Sequence, residues 1–190
     1  MSPEASAAEA ALRLAACFDD DGLPYALGGA LALGAWGVPR ATADVDVAVF
    51  VGEAALDRLF DALERAGVLF ARDEARRSAA RFGAIWARLG RTGVDVFIAH
   101  HPLHREMERR RVELPTPDGR SLWFLSAEDV AVTKLIYGRP KDVLDLERLF
   151  AVQQGRLDLA YVSLWLARIV PPEDPRLALL EDLRRRFATG

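Results

Sequence analysis

The sequence predicts an α+β protein, with helices and short strands mixed up to about residue 125 and an all-helical segment after it. In the first part, apolar residues at helical spacing alternate with short β-branched stretches, whereas the pattern from Ser126 onward is helical throughout. The 190 residues, 51% of them hydrophobic and 28% charged, suffice for one globular domain with a helical annex. We therefore expect a core over residues 1–125 and a helical segment over residues 126–190 that packs on it.

Periodicity and turn residues predict the elements of the core. Helices are expected over residues 4–18, over the apolar stretch from Gly28 to about Gly37, and over residues 53–66, where Gly67 ends the pattern. Extended stretches are expected over residues 24–27, 44–51, 81–89, 94–99, 112–114 and 122–125. Turns around residues 90–93 and 117–119 would join the last four into two hairpins.

The C-terminal segment begins with the motif SAED, residues 126–129, which is typical of a helix N-terminus with a capping box. Further helices are predicted over residues 141–153, 158–169 and 175–187, and two consecutive prolines at 171–172 separate the last two. The four tryptophans lie in apolar stretches, so we expect them in the core.

Composition limits the classes of function. A net charge of −3 offers no global attraction for nucleic acid, so any such interface must be a local patch. A single cysteine, Cys17, excludes an intramolecular disulfide and a cysteine-cluster metal site. No apolar run approaches the roughly 20 residues that span a bilayer, and the N-terminus lacks a basic region typical of a signal peptide. We expect a cytoplasmic protein that does not enter the membrane.

Two acids interrupt a predicted buried strand, DVDVAV at residues 44–49. Because side chains alternate across a strand, Asp44 and Asp46 leave by one face, where their charges repel each other. Asp95 lies among β-branched residues of a later strand, and if the two strands are neighbours all three carboxylates converge. Oxygen donors without histidine or cysteine suit Mg²⁺ or Mn²⁺ rather than zinc. Two such ions would offset the repulsion, as in two-metal phosphoryl or nucleotidyl transfer.

Gly28 and Gly29 stand where a predicted strand gives way to a helix. Free backbone N–H groups at such a junction attract anions, and glycine lets a ligand approach the backbone closely. The pair is therefore a candidate phosphate-binding turn. An ordinary tight turn is the alternative reading of these two residues considered by themselves.

Together these residues resemble a known family. The stretch GGALALGAWGVPRATADVDVAV, residues 28–49, is similar to the signature of the DNA polymerase β-like nucleotidyltransferase superfamily. The residues Pro39-Arg40-Ala41-Thr42 look like the small bacterial branch that includes abortive-infection and toxin–antitoxin nucleotidyltransferases. The stretch AEDVAVTKLIYGRPKDVLDL, residues 127–146, resembles a helical motif of the same branch. The matches span roughly residues 25 to 150 and imply a polymerase-β-like core, a small mixed sheet flanked by helices.

The resemblance implies the following roles. Gly28 and Gly29 would hold the phosphates of a nucleoside triphosphate, Asp44, Asp46 and Asp95 would bind two Mg²⁺ or Mn²⁺ ions, and Asp95 would help to deprotonate the attacking hydroxyl. Lys134 would reach the triphosphate. Arg40 and Thr42 would brace the aspartate strand or touch the nucleotide. The remaining residues, Lys141, Asp142 and Asp145, would complete the pocket or orient Lys134. One departure is Ala30, where many relatives have a serine whose hydroxyl touches a phosphate.

The resemblance also implies a reaction: transfer of NMP from an NTP to an acceptor hydroxyl, with release of pyrophosphate. An RNA acceptor such as tRNA, with a cognate antitoxin as partner, fits the toxin-like branch. A small-molecule acceptor, such as an aminoglycoside or lincosamide antibiotic, is the alternative within the enzyme class. A basic acceptor cleft would favour RNA and an acidic one a cationic drug. A non-catalytic nucleotide-binding relative is a further alternative.

Two other clusters leave alternatives open. The histidines at 100, 101 and 104 follow the end of a predicted strand. A solvated loop is a simpler interpretation of them than a zinc site is. Two arginine-rich stretches flank the predicted Asp95 hairpin, and they fit either a solvated helix face or a polynucleotide-binding rim. Their members are Arg72, Arg76, Arg77, Arg81, Arg105, Arg109, Arg110 and Arg111.

Overall fold

The computed structural model describes residues 6–116 and 119–187. Six strands form one mixed sheet in the order β3-β4-β2-β1-β6-β5. The strands are β1 Tyr25–Leu27, β2 Asp44–Val49, β3 Ala84–Leu89, β4 Thr92–Ile98, β5 Val112–Pro115 and β6 Ser121–Phe124. The helices are α1 Ala7–Asp20, α2 Gly29–Ala35, α3 Leu56–Arg65, α4 Arg72–Phe82, α5 Pro102–Arg110, α6 Ala127–Tyr137, α7 Pro140–Gln153, α8 Leu159–Ile169 and α9 Pro175–Phe187. The predicted α+β class is confirmed.

The central strands form both parallel and antiparallel pairs. β2 runs parallel to β4, with Asp46 opposite Asp95 and Asp44 opposite Gly93. β1 runs antiparallel to β2 and parallel to β6, while β3 and β5 close the two edges as antiparallel partners of β4 and β6. The strand that carries the aspartate pair and the strand that carries Asp95 are therefore hydrogen-bonded neighbours.

Each face of the sheet packs against a different set of helices. On one face, alternate residues of β2 and β4 join α1, α3 and α4 in a hydrophobic cluster that includes Val45, Val47, Val49, Val94 and Val96. On the other face, Ala26 and Ala48 pack with α2, with Leu103 and Met107 of α5, and with the helices α6 to α9. Because successive side chains of β2 point to opposite faces, Asp44 and Asp46 lie on this second face with Ala48.

Two predicted boundaries are wrong because helices were missed. Residues 72–82 form α4, so the strand predicted from Arg81 begins at Ala84, after Gly83 has ended the helix with a left-handed φ of 64°. Polar residues fill this helix, of which Ala75 alone is fully buried, so its sequence shows little apolar periodicity. Helix α5 was also missed: it begins at Pro102 with His101 as its N-cap, so His100 and His101 precede the helix as expected, whereas His104 lies in its first turn.

Other expectations need smaller corrections. Ser126 caps α6 as predicted, since its hydroxyl accepts a hydrogen bond from the Asp129 N–H. The Asp129 carboxylate does not complete a capping box, because it accepts hydrogen bonds from the hydroxyls of Ser126 and Tyr161 instead. Trp165 is buried as expected, whereas Trp86 is 57% exposed. The predicted turn at Pro117-Asp118 and the first residues of the predicted N-terminal helix lie outside the described residues.

The helices after residue 126 share one hydrophobic cluster with the sheet and α2. Leu135 and Leu146 are fully buried there beside Ala32 and Leu33. No helix in the described ranges is both long and apolar enough to cross a membrane.

The shared cluster predicts that the helical segment and the core unfold together. We expect Leu146→Ala to lower the free energy of unfolding by about 2–5 kcal/mol, because it leaves a cavity between α7 and the rest of the cluster. The matched control is Leu144→Ala on the same helix, where the side chain is 53% exposed, so the change should stay within about 0.5 kcal/mol. Urea unfolding followed by tryptophan fluorescence and by circular dichroism should give coincident transitions in both variants. Two separated transitions would contradict this prediction.

Candidate functional site

A cavity of about 670 Å³ lies against the face of the sheet that receives the aspartates. Its volume is in the range of small-molecule and cofactor pockets. Its lining includes nine of the residues singled out in the sequence: Gly28, Gly29, Arg40, Thr42, Asp44, Asp46, Asp95, Lys134 and Lys141. Asp142 and Asp145 do not line the cavity and lie behind it.

Strand register brings the acids together. Asp46 and Asp95 are directly opposite each other on β2 and β4, and Asp44 follows on the same face of β2. Burial raises the pKa of Asp46, the Asp44 carboxylate raises it further, and Lys134 partly offsets both effects. Burial also raises the pKa of Asp95, to which Asp46 and Asp44 add repulsion. The site therefore holds negative charge that is incompletely balanced by the protein's own cations.

Two glycines make room for these carboxylates. Gly29 has a left-handed φ of 51°, and a Cβ at this position would overlap the Oδ2 atom of Asp46. A Cβ on Gly93, the residue opposite Asp44, would overlap the Oδ1 atom of that aspartate. The Gly28 N–H donates to the Asp46 carbonyl oxygen at 2.8 Å, which fixes the turn against β2. The role of Gly93 could not be predicted from the sequence, because it depends on the register between β2 and β4.

Lys134 is held by two acids of the next helix. Its side chain is almost fully buried, and its Nζ donates to Asp142 Oδ1 at 2.9 Å and to Asp145 Oδ2 at 2.7 Å. Although burial acts in the opposite direction, hydrogen bonds from Arg139 and Lys134 hold the pKa of Asp142 below its usual value. Arg40 pairs with Asp145 at 3.3 Å. This network positions Lys134 at the cavity wall beside Asp46.

Arg40 and Thr42 act on the loop before the aspartates. The Thr42 hydroxyl is 3.0 Å from the Asp44 carbonyl oxygen and 3.2 Å from the Asp44 nitrogen, which stabilises the entry into β2. Arg40 reaches from this loop to Asp145 on α7, so it links the aspartate strand with the network that holds Lys134. Both residues also line the cavity, where a ligand can contact them.

The three histidines also line the cavity, between the end of β4 and the first turn of α5. His104 Nδ1 accepts hydrogen bonds from the backbone N–H groups of His100 and His101, so the ring proton is on Nε2. Burial lowers the pKa of His104 to about 4, with His100 and His101 adding repulsion. At neutral pH, His104 is thus uncharged, and the lone pair of Nδ1 is taken up by the two backbone donors.

The chemistry of the donor set fits Mg²⁺ or Mn²⁺ only in part. Within residues 6–116 and 119–187, no three His, Cys, Asp or Glu side chains are gathered as a ready ligand set for a metal ion. Mg²⁺ is usually held by one or two carboxylates, several waters and the substrate's phosphates rather than by an all-protein cage. The oxygen donors of Asp44, Asp46 and Asp95, whose burial and mutual repulsion favour a cation between them, are consistent with that mode of binding.

Solved structures share this fold. The solution structure of the antibiotic-resistance factor ANT(2'')-Ia, a nucleotidyltransferase, superposes with a TM-score of 0.58 at 18% identity, over 93% of this chain and 96% of that one. The chain has a nucleotidyltransferase fold. Two further matches have lower TM-scores: ANT(2'')-Ia in complex with adenylyl-2''-tobramycin (0.49, 16% identity, 93% and 96% covered) and an antigenic nucleotidyltransferase-like protein from Paracoccidioides brasiliensis (0.46, 16%, 92% and 91%). No protein-family model and no curated protein sequence matches this chain.

Several arginines of the two arginine-rich stretches pair with residues outside the cavity, whereas Arg81 lies over the ring of Phe82, which lines it. On α4, Arg72 pairs with Asp61 and Glu64 of α3, and Arg76 pairs with Asp57. On α5, Arg110 pairs with Glu128. Just beyond α5, Arg111 donates to the Tyr25 carbonyl oxygen. All eight arginines of the two stretches belong to the described part of the chain, and none of them lines the cavity.

The buried network around Lys134 predicts that two acids of α7 differ sharply in how much they contribute to stability. We expect Asp142→Ala to lower the free energy of unfolding by about 3–5 kcal/mol, because it leaves the buried Lys134 ammonium with one partner. Glu147 pairs with Arg186 at the surface, so Glu147→Ala should cost no more than about 1 kcal/mol. Chemical denaturation of the two variants measures the difference. Equal losses of stability would contradict the structural role given to the network.

Proposed function

We propose that the protein is a Mg²⁺-dependent nucleotidyltransferase that moves NMP from an NTP to an acceptor hydroxyl and releases pyrophosphate. The observation that carries this proposal is the placement of Asp44, Asp46 and Asp95 on adjacent strands of a nucleotidyltransferase fold, at a cavity that Lys134 also lines. Asp44 and Asp46, with Asp95, would hold the metal. When bound, Mg²⁺ would neutralise charge on the triphosphate and polarise the phosphorus under attack.

The protein's own residues have distinct tasks in this reaction. The Gly28 N–H already donates to the Asp46 carbonyl oxygen, so phosphate oxygens would approach the N–H groups that follow it at the start of α2, where Gly29 leaves the backbone uncovered. Lys134 contributes a fixed positive charge, and Asp142 and Asp145 hold it in place rather than contacting the nucleotide. Arg139 and Lys141, at the start of α7, line the same wall and extend the positive side of the cavity.

Asp95 is the proposed base. The acceptor oxygen attacks the α-phosphorus, its proton passes to the Asp95 carboxylate, and the bond between that phosphorus and the pyrophosphate oxygen breaks. Asp95 is directly opposite Asp46 on the neighbouring strand, so its carboxylate lies beside the proposed metal position and can take up that proton. The Nδ1 atom of His104 accepts two backbone hydrogen bonds, so its lone pair is not available to take up that proton.

We propose that the acceptor is a small, positively charged molecule. The cavity is of small-molecule size, and its floor carries three carboxylates. An RNA acceptor would need a basic surface around these acids, but four of the eight arginines expected to form it, Arg72, Arg76, Arg109 and Arg110, are ion-paired with acids of α3, α5 and α6. ANT(2'')-Ia, which shares the fold, is an antibiotic-resistance factor. That relationship makes an amino-sugar antibiotic a reasonable first acceptor to test, with a tRNA pool as the second candidate.

A transfer assay tests the proposed reaction. Purified protein is incubated with Mg²⁺, each α-labelled NTP, and either tobramycin or a tRNA pool. We expect label on tobramycin and a loss of at least about 100-fold in Asp44→Asn, Asp46→Asn and Asp95→Asn, because even the outer partners of metal ligands commonly contribute 10- to 100-fold. Asp73→Asn, an exposed acid of α4, is the control and should keep full activity. Transfer to neither acceptor by folded protein, or undiminished transfer in the three variants, would refute the proposal.

Asp46 should also limit the stability of the metal-free protein. A folded pKa above the unfolded one means that the folded state binds more protons between the two values, so stability falls as pH rises through that window. We expect Asp46→Asn to raise the free energy of unfolding near pH 7 in chelator and to change it little near pH 3, where the carboxyl is protonated in both states. Thermal melting at the two pH values measures this. A destabilised Asp46→Asn protein near pH 7 would contradict the assigned charge balance.

The same raised pKa values predict how the rate of transfer changes with pH. Asp46 and Asp95 must be ionised to act, and both pKa values are raised. We therefore expect the rate to fall on acidification at a higher pH than an ordinary aspartate would give, and excess Mg²⁺ to shift the fall to lower pH because the cation competes with protons. Initial rates across pH at two Mg²⁺ concentrations measure the shift. A profile independent of Mg²⁺ would contradict this view of the carboxylates.

A further inference from the structure

Two large aromatic side chains lie exposed at the rim of the cavity. Trp86 of the edge strand β3 is 57% exposed, and Phe82, the last residue of α4, is 55% exposed. Their rings meet edge to face, with centroids 5.8 Å apart. Both residues line the cavity that holds the aspartates. A paired aromatic patch beside a pocket is more consistent with ligand binding than a single exposed apolar residue is.

The register of the sheet relates Trp86 to the aspartates. Trp86 is directly opposite Asp95 across the β3–β4 pair, and Asp95 is directly opposite Asp46 across the β4–β2 pair. The three side chains therefore form a row on one face of the sheet, each about 5 Å from the next in the hydrogen-bonding direction. The indole is thus next to Asp95, the proposed base, and one strand further from Asp46.

The nucleotide and the acceptor then occupy opposite sides of Asp46. Gly28 and Gly29 follow β1, which flanks β2 on the side away from β4, and Gly29 contacts the Asp46 carboxylate from there. Trp86 lies on the other side, beyond Asp95. With the triphosphate against the glycine turn, the space in front of β4 and β3 is left for the acceptor hydroxyl and the ring that carries it.

We propose that Trp86, supported by Phe82, is the residue that binds the acceptor's ring and sets acceptor specificity; this inference rests on the proposed nucleotidyl transfer. An aromatic face attracts positive charge and stacks on flat or saturated rings. A cationic amino sugar therefore gains from the attraction of the aromatic face for its charge as well as from stacking, whereas a neutral sugar gains only from the stacking.

Binding and turnover of tobramycin test this role. Calorimetric titration is done in the presence of Mg²⁺ and a non-hydrolysable ATP analogue, so that it does not depend on catalysis. We expect Trp86→Ala to raise the Kd for tobramycin, and its KM in the transfer assay, by about 3- to 30-fold, with little change in kcat or in the KM for the NTP. Trp86→Phe keeps an aromatic face and should stay within about 3-fold of the unchanged protein.

Two controls separate ring binding from folding. Trp123→Phe alters a tryptophan that lies on β6 under the Arg111 guanidinium and does not line the cavity, so it should leave tobramycin binding unchanged. Phe82→Leu removes the edge-to-face partner and should weaken binding less than Trp86→Ala does. Circular dichroism of each variant checks that it is folded.

The outcomes distinguish this inference from the proposed function. Tobramycin transfer with an unchanged acceptor KM in Trp86→Ala would overturn the inference and leave the function standing. Binding that depends on Trp86 without transfer of label would support the inference and refute the function. Failure of tobramycin to bind the unchanged protein, or Trp86-dependent binding of tRNA in its place, would overturn the assignment of a cationic ring to Trp86.

Discussion

The repulsion among aspartates on one face of the sheet is the constraint on which the site depends. β2 and β4 are parallel neighbours in register, so Asp46 faces Asp95 and Asp44 follows on the same side. Burial and mutual repulsion disfavour the ionised forms of Asp46 and Asp95, and Lys134 offsets this only partly. A sheet face composed this way is stable in its charged form only when a cation lies against it. The surrounding residues are arranged accordingly, with glycines making room for the carboxylates and cations on one wall.

The helical segment contributes the positive side of the site through a network that is itself buried. Lys134 of α6 is held between Asp142 and Asp145 of α7, and Arg40 extends the network to the loop before β2. Removing one member of such a network leaves another charge without its partner in a poorly solvated place. The network therefore couples the position of Lys134 to that of the aspartate strand, which is a reason for the two parts of the chain to fold together.

Alternation and helical periodicity were enough to predict the α+β class, the strand of the aspartate pair and the C-terminal helices. The pairing of β2 with β4 could not be derived from them, because parallel register is set by packing far along the chain. α4 was missed because it is polar on most sides and packs through the single fully buried Ala75. The exposure of Trp86 was missed for a different reason: β3 is an edge strand over a cavity, and an apolar sequence pattern does not reveal what lies above it. Gly93 likewise has meaning only once its partner Asp44 is known.

The charge balance of the aspartates is the central claim, and carbon-13 NMR of their carboxyl groups measures it directly. The side-chain carboxyl resonances are followed against pH in chelator and then with Mg²⁺ and a non-hydrolysable nucleotide, with Asp46→Asn and Asp95→Asn used for assignment. We predict that both carboxyls titrate above the ordinary aspartate range in chelator and that the cation moves both titrations to lower pH. Ordinary titrations in chelator, or raised ones that the cation does not shift, would contradict the account.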